Sequence, residues 1–310
     1  PLEKLFADPE IAIKISLLPK RLGVDAIIMF QDILTPLTPA GAEFRFAPGP
    51  IMEKPVRTLS QIKTLRVFDP EIDLQCVAQI LRGLNAELKG ELPVLGFAGS
   101  PMSLALFMIA GCSPNQKIEE VLAFVEEQPD ITQALLEWLT EMTVDYLNFQ
   151  ITSGAHAVQL FESFADVIPF EMYRKFVQPT HEKIFSALTP NAPSILFTRE
   201  SSHLDLMLKS GASVLSVGSC IDLGCAQKKA PEMIFQGNVD NQILADGTKA
   251  KITEAVQKCF EKSGRKNHIL NLNHGLLERT PFENVQHFVN VAKELGRIEG
   301  NTCEQEIRKA

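Results

Sequence analysis

Three polar residues of this chain stand where α/β proteins keep their chemistry: Asp32, Ser163 and His274. Residues 26–30 form a short apolar run, β-branched in the middle, and read as a strand buried on both faces of a parallel sheet. Asp32 follows almost at once, at the carboxyl end, the edge where loops surround a crevice or a barrel mouth. A carboxylate there can meet a ligand, whereas the plainer reading makes it a helix cap or a turn residue. Ser163 and His274 each follow a later apolar run, 155–161 and 268–272. Both side chains can hydrogen-bond a ligand, and both can equally serve a turn. Asp, Ser and His together invite a nucleophilic triad. Ser163, however, sits in Leu160-Phe161-Glu162-Ser163-Phe164, with no G-x-S-x-G elbow around it.

Other residues near these ends matter less by type. Phe30, Phe107 and Phe161 read either as core or as aromatic walls of a pocket. Arg199, after the run 194–197, reads as an ion-paired surface residue or as a proton donor. At Gly96 and Gly99 a missing side chain would let a ligand approach the backbone, or serve a turn.

The elements that must hold these residues alternate. Asp8-Pro9 starts a helix that runs to about Leu22, disturbed at Pro19, and Gly23 ends it. Residues 36–55, rich in Pro and Gly, look like a long excursion forming a wall or lid. Helical patterns occupy 70–85, a segment from Pro101, then 130–154, 170–187, 200–210, 240–263 and 281–297. Strands are expected at 26–30, 93–99, 155–161, 194–197, 213–217, 233–236 and 268–272. The alternation means a parallel sheet, and seven strands are one short of a closed α/β (β/α)₈ TIM barrel. Because the first element is a helix, the expectation is a first strand upstream of Pro1. The polar tail from Gly300 is expected to fray.

Bulk properties narrow the function. The 310 residues, 45% hydrophobic and 22% charged, fit an ordinary globular protein. A net charge of −8 argues against nucleic-acid binding, and a polyanionic substrate would need local positive charge. The six cysteines show no small-domain spacing, and nothing completes a zinc signature around Cys220 and Cys225. No apolar run approaches membrane-span length and no secretory signal opens the chain, so the expected compartment is the cytoplasm.

Five segments, in order, resemble the uroporphyrinogen decarboxylase family. They are Phe30-Gln31-Asp32-Ile33-Leu34, Gly96-Phe97-Ala98-Gly99-Ser100-Pro101, Leu160-Phe161-Glu162-Ser163, Gln236-Gly237-Asn238-Val239-Asp240 and Asn271-Leu272-Asn273-His274-Gly275-Leu276. The resemblance implies one barrel domain over residues 1–310, a homodimer, and a lyase that uses no cofactor. Its expected reaction removes the four acetate carboxylates of uroporphyrinogen III to give coproporphyrinogen III, in haem biosynthesis. It further implies that Asp32 accepts pyrrole N–H groups and is catalytic. Ser163 and His274 would bind substrate carboxylates, with Phe30, Phe107 and Phe161 against the macrocycle.

Three departures from the family pattern stand out. The arginine-bearing R-Q-A-G-R-Y segment is absent from these residues, Phe107 replaces a tyrosine, and Val217-Gly218-Ser219 replaces L-D-W. The first two favour the alternative of a tetrapyrrole-binding protein without turnover. A corrinoid methyltransferase relative would carry zinc on H-x-C, yet no histidine here is followed two places on by cysteine.

Overall fold

The computed structural model describes residues 2–190 and 192–297. Its main sheet has seven strands, all parallel, paired in sequence order. These are β1 (Ile27–Ile28), β2 (Val94–Gly99), β3 (Ala157–Glu162), β4 (Ser194–Thr198), β5 (Val214–Ser216), β6 (Ile234–Val239) and β7 (His268–Leu272). They are the seven expected strands. The tail from Gly300 lies outside the described residues.

The sheet curls. Gln236 on β6 donates to Gln159 on β3 at 3.2 Å, although two strands separate them in the sheet. Only a sheet closing towards a barrel brings those side chains together. Gln236 also donates to Ser216 on β5 at 3.0 Å, so this buried polar set is satisfied from within. Side chains alternate across a strand, so Gln159 and Phe161 share the inner face, and their register partners on β4 are Ile195 and Phe197. β1 and β7, the two ends of the order, are not paired with each other among the described residues.

Helices cover the outside: α1 (Pro9–Ser16), α2 (Gln75–Leu88), α3 (Pro101–Ala110), α4 (Pro129–Thr152), α5 (Gln178–Ala187), α6 (Lys249–Ser263) and α7 (Phe282–Gly296). Asp8 caps α1 by accepting from the Ile11 N–H, and Pro9 occupies its first position. The helix expected to reach Leu22 stops sooner. A proline at position 19 cannot donate into the ladder, so the chain tightens into a 3₁₀ turn, Leu18–Leu22, closed by Gly23 at φ +82°. A helix the sequence pattern did not resolve, Ile118–Glu127, lies between α3 and α4.

The excursion over 36–55 is packed down on the body of the fold and contributes no lining residue to the cavity described below. It holds a two-residue hairpin, Arg45–Phe46 against Pro50–Ile51. Met52 N–H and Val56 N–H then donate to the Gly111 and Met108 carbonyls at 2.8 and 2.9 Å, tying the excursion's end and the residues just after it to the end of α3. Leu37, Ala40, Ala42, Phe44 and Met52 are buried beneath it.

Candidate active site

A cavity of about 470 Å³ opens at the carboxyl ends of β1, β2 and β3. Asp32, Phe30, Phe161 and Ser163 all line it, beside Phe97 and a side wall of Ile15, Ser16 and Pro19. Its volume falls in the range of small-molecule sites. The side wall escaped the sequence reading, although the break at Pro19 that bends it was visible.

Asp32 does two jobs with two oxygens. Oδ1 accepts the Leu34 N–H at 2.8 Å and turns the chain into a 3₁₀ turn, so the plainer reading holds for that atom. Oδ2 takes no hydrogen bond among the described residues. Burial against the apolar wall pushes the Asp32 carboxyl above its ordinary range, and the Leu34 N–H only partly opposes this. Such a carboxylate is short of solvation and gains most when a cation or N–H donor arrives.

Ser163 is fixed through its main chain, not its hydroxyl. Its N–H donates to Ser103 Oγ at 2.8 Å, and that hydroxyl donates to Glu162 Oε1 at 2.6 Å. Glu162 is fully buried, with its second oxygen 3.5 Å from His181 Nε2, which also sits 3.0 Å from Ser100 Oγ. The Ser163 hydroxyl makes no hydrogen bond among the described residues, which leaves it available to a ligand.

Phe30 meets Phe6 at 5.2 Å between ring centroids. Phe97, Phe161 and Phe197 form a string at 5.5 and 5.2 Å, and Phe197 meets His274 at 6.0 Å. His274 is therefore two ring contacts from the cavity, beside it and not in its wall. Its imidazole is exposed on one side, but desolvation along that wall, and then the charge of Arg199, lower its pKa. It is neutral near pH 7 and offers a hydrogen bond, not an ion pair.

Phe107 does not line the cavity. Its ring is held edge-on between Phe44 and Phe164, at 6.3 and 5.6 Å, because α3 aims it under the excursion. The expectation that it lies against a ligand with Phe30 and Phe161 is therefore corrected to a second layer of rings. Gly96 and Gly99 do not line the cavity. A Cβ on Gly96 would stand 2.3 Å from Gln150 Oε1, and one on Gly99 2.7 Å from Leu104 Cδ2, so both glycines allow helices to pack closely.

Farther round the mouth, Glu200 (φ +40°) accepts from the Ser219 and Cys220 N–H groups at 2.8 and 3.0 Å, and from Asn273 Nδ2 at 2.7 Å. Burial works to raise its carboxyl, but these donors outweigh it and hold the group below its usual range. Glu200 thus ties the ends of β4, β5 and β7, next to His274.

The family model described as uroporphyrinogen decarboxylase (URO-D) matches residues 1–295. The chain belongs to this family. The uroporphyrinogen decarboxylase of Trichlorobacter lovleyi is 38% identical over 299 residues, covering 95% of this chain and 87% of that protein. That of Prochlorococcus marinus is also 38% identical, over 297 residues, covering 93% and 85%. Among solved structures, a methyltransferase from Methanosarcina mazei superposes with TM-score 0.77 at 18% identity, covering 96% of this chain and 88% of that one. That likeness shows the α/β fold alone.

Proposed function

We propose that this chain decarboxylates the four acetate side chains of uroporphyrinogen III, giving coproporphyrinogen III in tetrapyrrole biosynthesis. Membership of the uroporphyrinogen decarboxylase family supports the reaction, and one structural observation supports its location. Asp32 offers a free, poorly solvated carboxylate oxygen to a cavity walled by phenyl rings. Protonating a pyrrole at carbon makes a cation, and that cation accepts the electron pair released as CO₂ leaves. Asp32 then accepts hydrogen bonds from pyrrole N–H groups and stabilises the cation more than the neutral substrate, which is what lowers a barrier. Phe30 and Phe161 exclude water from the macrocycle, while the hydroxyl of Ser163 and the neutral imidazole of His274 hydrogen-bond peripheral carboxylates.

The chain works as one barrel unit, as a homodimer, in the cytoplasm. The family resemblance supports the first two. No helix among the described residues is long and apolar enough to cross a membrane. A zinc-dependent methyltransferase fits the residues less well, because no group of three His, Cys, Asp or Glu side chains able to hold a metal occurs among the described residues.

The test is anaerobic incubation with uroporphyrinogen III, following stepwise carboxylate loss. Asp32→Asn is expected to reduce turnover at least about 10³-fold while uroporphyrin still binds. Wild-type binding without CO₂ release would instead make the chain a carrier.

A further inference from the structure

Uroporphyrinogen carries eight carboxylates, yet the cavity is lined by no cation and the chain is net negative. A cation on the rim would meet part of that charge. Ser163 and Arg199 lie two residues beyond the register pair Phe161–Phe197, so alternation sets them on the inner face of adjacent strands at the same height. The Arg199 N–H extends the pairing by donating to the Glu162 carbonyl at 3.2 Å.

Arg199 is already occupied. Its Nε and Nη2 donate to Asp166 Oδ1 at 3.1 and 2.9 Å, and Nη2 to Oδ2 at 2.9 Å. The guanidinium lies 5.5 Å over the Phe164 ring, and Nη1 makes no hydrogen bond among the described residues. The two side chains keep 26% and 29% of their surface, so the pair is reachable from the mouth. Partly exposed pairs of this kind hold a fold only weakly. Exchanging one carboxylate for another on the same guanidinium leaves its charge and hydrogen bonds balanced, and the incoming one brings the rest of the ligand's contacts.

Resting on the decarboxylase reading above, we propose that Arg199 is a binding site for a peripheral carboxylate of the tetrapyrrole, kept closed by Asp166. The substrate's carboxylate takes Asp166's place on the guanidinium, and Asp166 turns to solvent. Arg199 is thus a rim cation beside an apolar cavity that carries Asp32, and Asp166 sets how tightly anions compete for it.

Two readouts test this: KM and kcat for uroporphyrinogen III, and the Kd of uroporphyrin by fluorescence titration. Arg199→Met is expected to raise KM and Kd about tenfold with kcat within about twofold, and Arg199→Lys to recover part of that loss. Asp166→Asn is expected to tighten binding about threefold. The double variant should bind like Arg199→Met, since Asp166 acts only through Arg199. Unchanged Kd in Arg199→Met overturns the proposal. So does weaker binding in Asp166→Asn, or tightening that persists without Arg199. If Arg199→Met does not fold, Arg199→Lys and Asp166→Asn decide. Absent wild-type turnover would sink the decarboxylase reading, while the uroporphyrin titration would still judge Arg199.

Discussion

Asp32 carries its carboxylate at a cost to the fold. Its pKa is raised in the folded chain, chiefly by burial, so the folded state holds the proton more tightly than the unfolded state. Stability is therefore fully present below the unfolded value of about 4, and is lost as pH rises through the folded one. Asp32→Asn should melt above the wild type at pH 7, with the advantage disappearing below about pH 4. Thermal melts across that range would check it, and a variant that melts lower at pH 7 would contradict the desolvation argument. Activity should have an acid limb above the ordinary carboxylate range, because only the ionised group steadies a cation. Behind the site, Ser103→Ala strands both the Ser163 N–H and the fully buried Glu162, and about 2–3 kcal/mol should be lost in urea unfolding. Loss below about 0.5 kcal/mol would mean that neighbouring groups take over.

Individual elements are held to each other by single polar side chains. Gln150 on α4 donates to the Phe97 carbonyl at 2.8 Å and accepts its N–H at 2.7 Å, so one amide fixes the peptide that aims Phe97 into the cavity. Gln150→Leu should cost about 2–4 kcal/mol and raise KM, since that stretch of β2 loses its anchor; unfolding and kinetics on one preparation test both. The strands were legible because each is a short apolar run closed by a polar or glycine residue, and their number set the sheet. Ile118–Glu127 was not, because the chain first spends Pro114–Gln116 on a 3₁₀ turn that blurs where the helix begins. The expected helix over 200–210 shrinks to Leu204–Met207 for a related reason: the chain first spends Glu200 on the β5 loop. The lining of the cavity was legible where one strand end supplies one residue, as with Asp32 and Ser163. It was not where a ring's direction decides, as with Phe107, or where the partner is chosen in space, as with Asp166 and Arg199.

At the scale of the molecule, curling brings distant strand ends together at one mouth, as the Glu200–Asn273 contact shows. The same curl stops short of closing on itself between β1 and β7. Within it, the Gln236–Gln159 link reaches from β6 to β3 past two intervening strands and acts as a clasp on the curvature. Gln236→Leu removes that clasp and strands Gln159 and Ser216, so thermal melts should show Tm lowered by about 2–6 °C. A Tm within about 1 °C of the wild type would mean that strand pairing alone keeps the sheet bent.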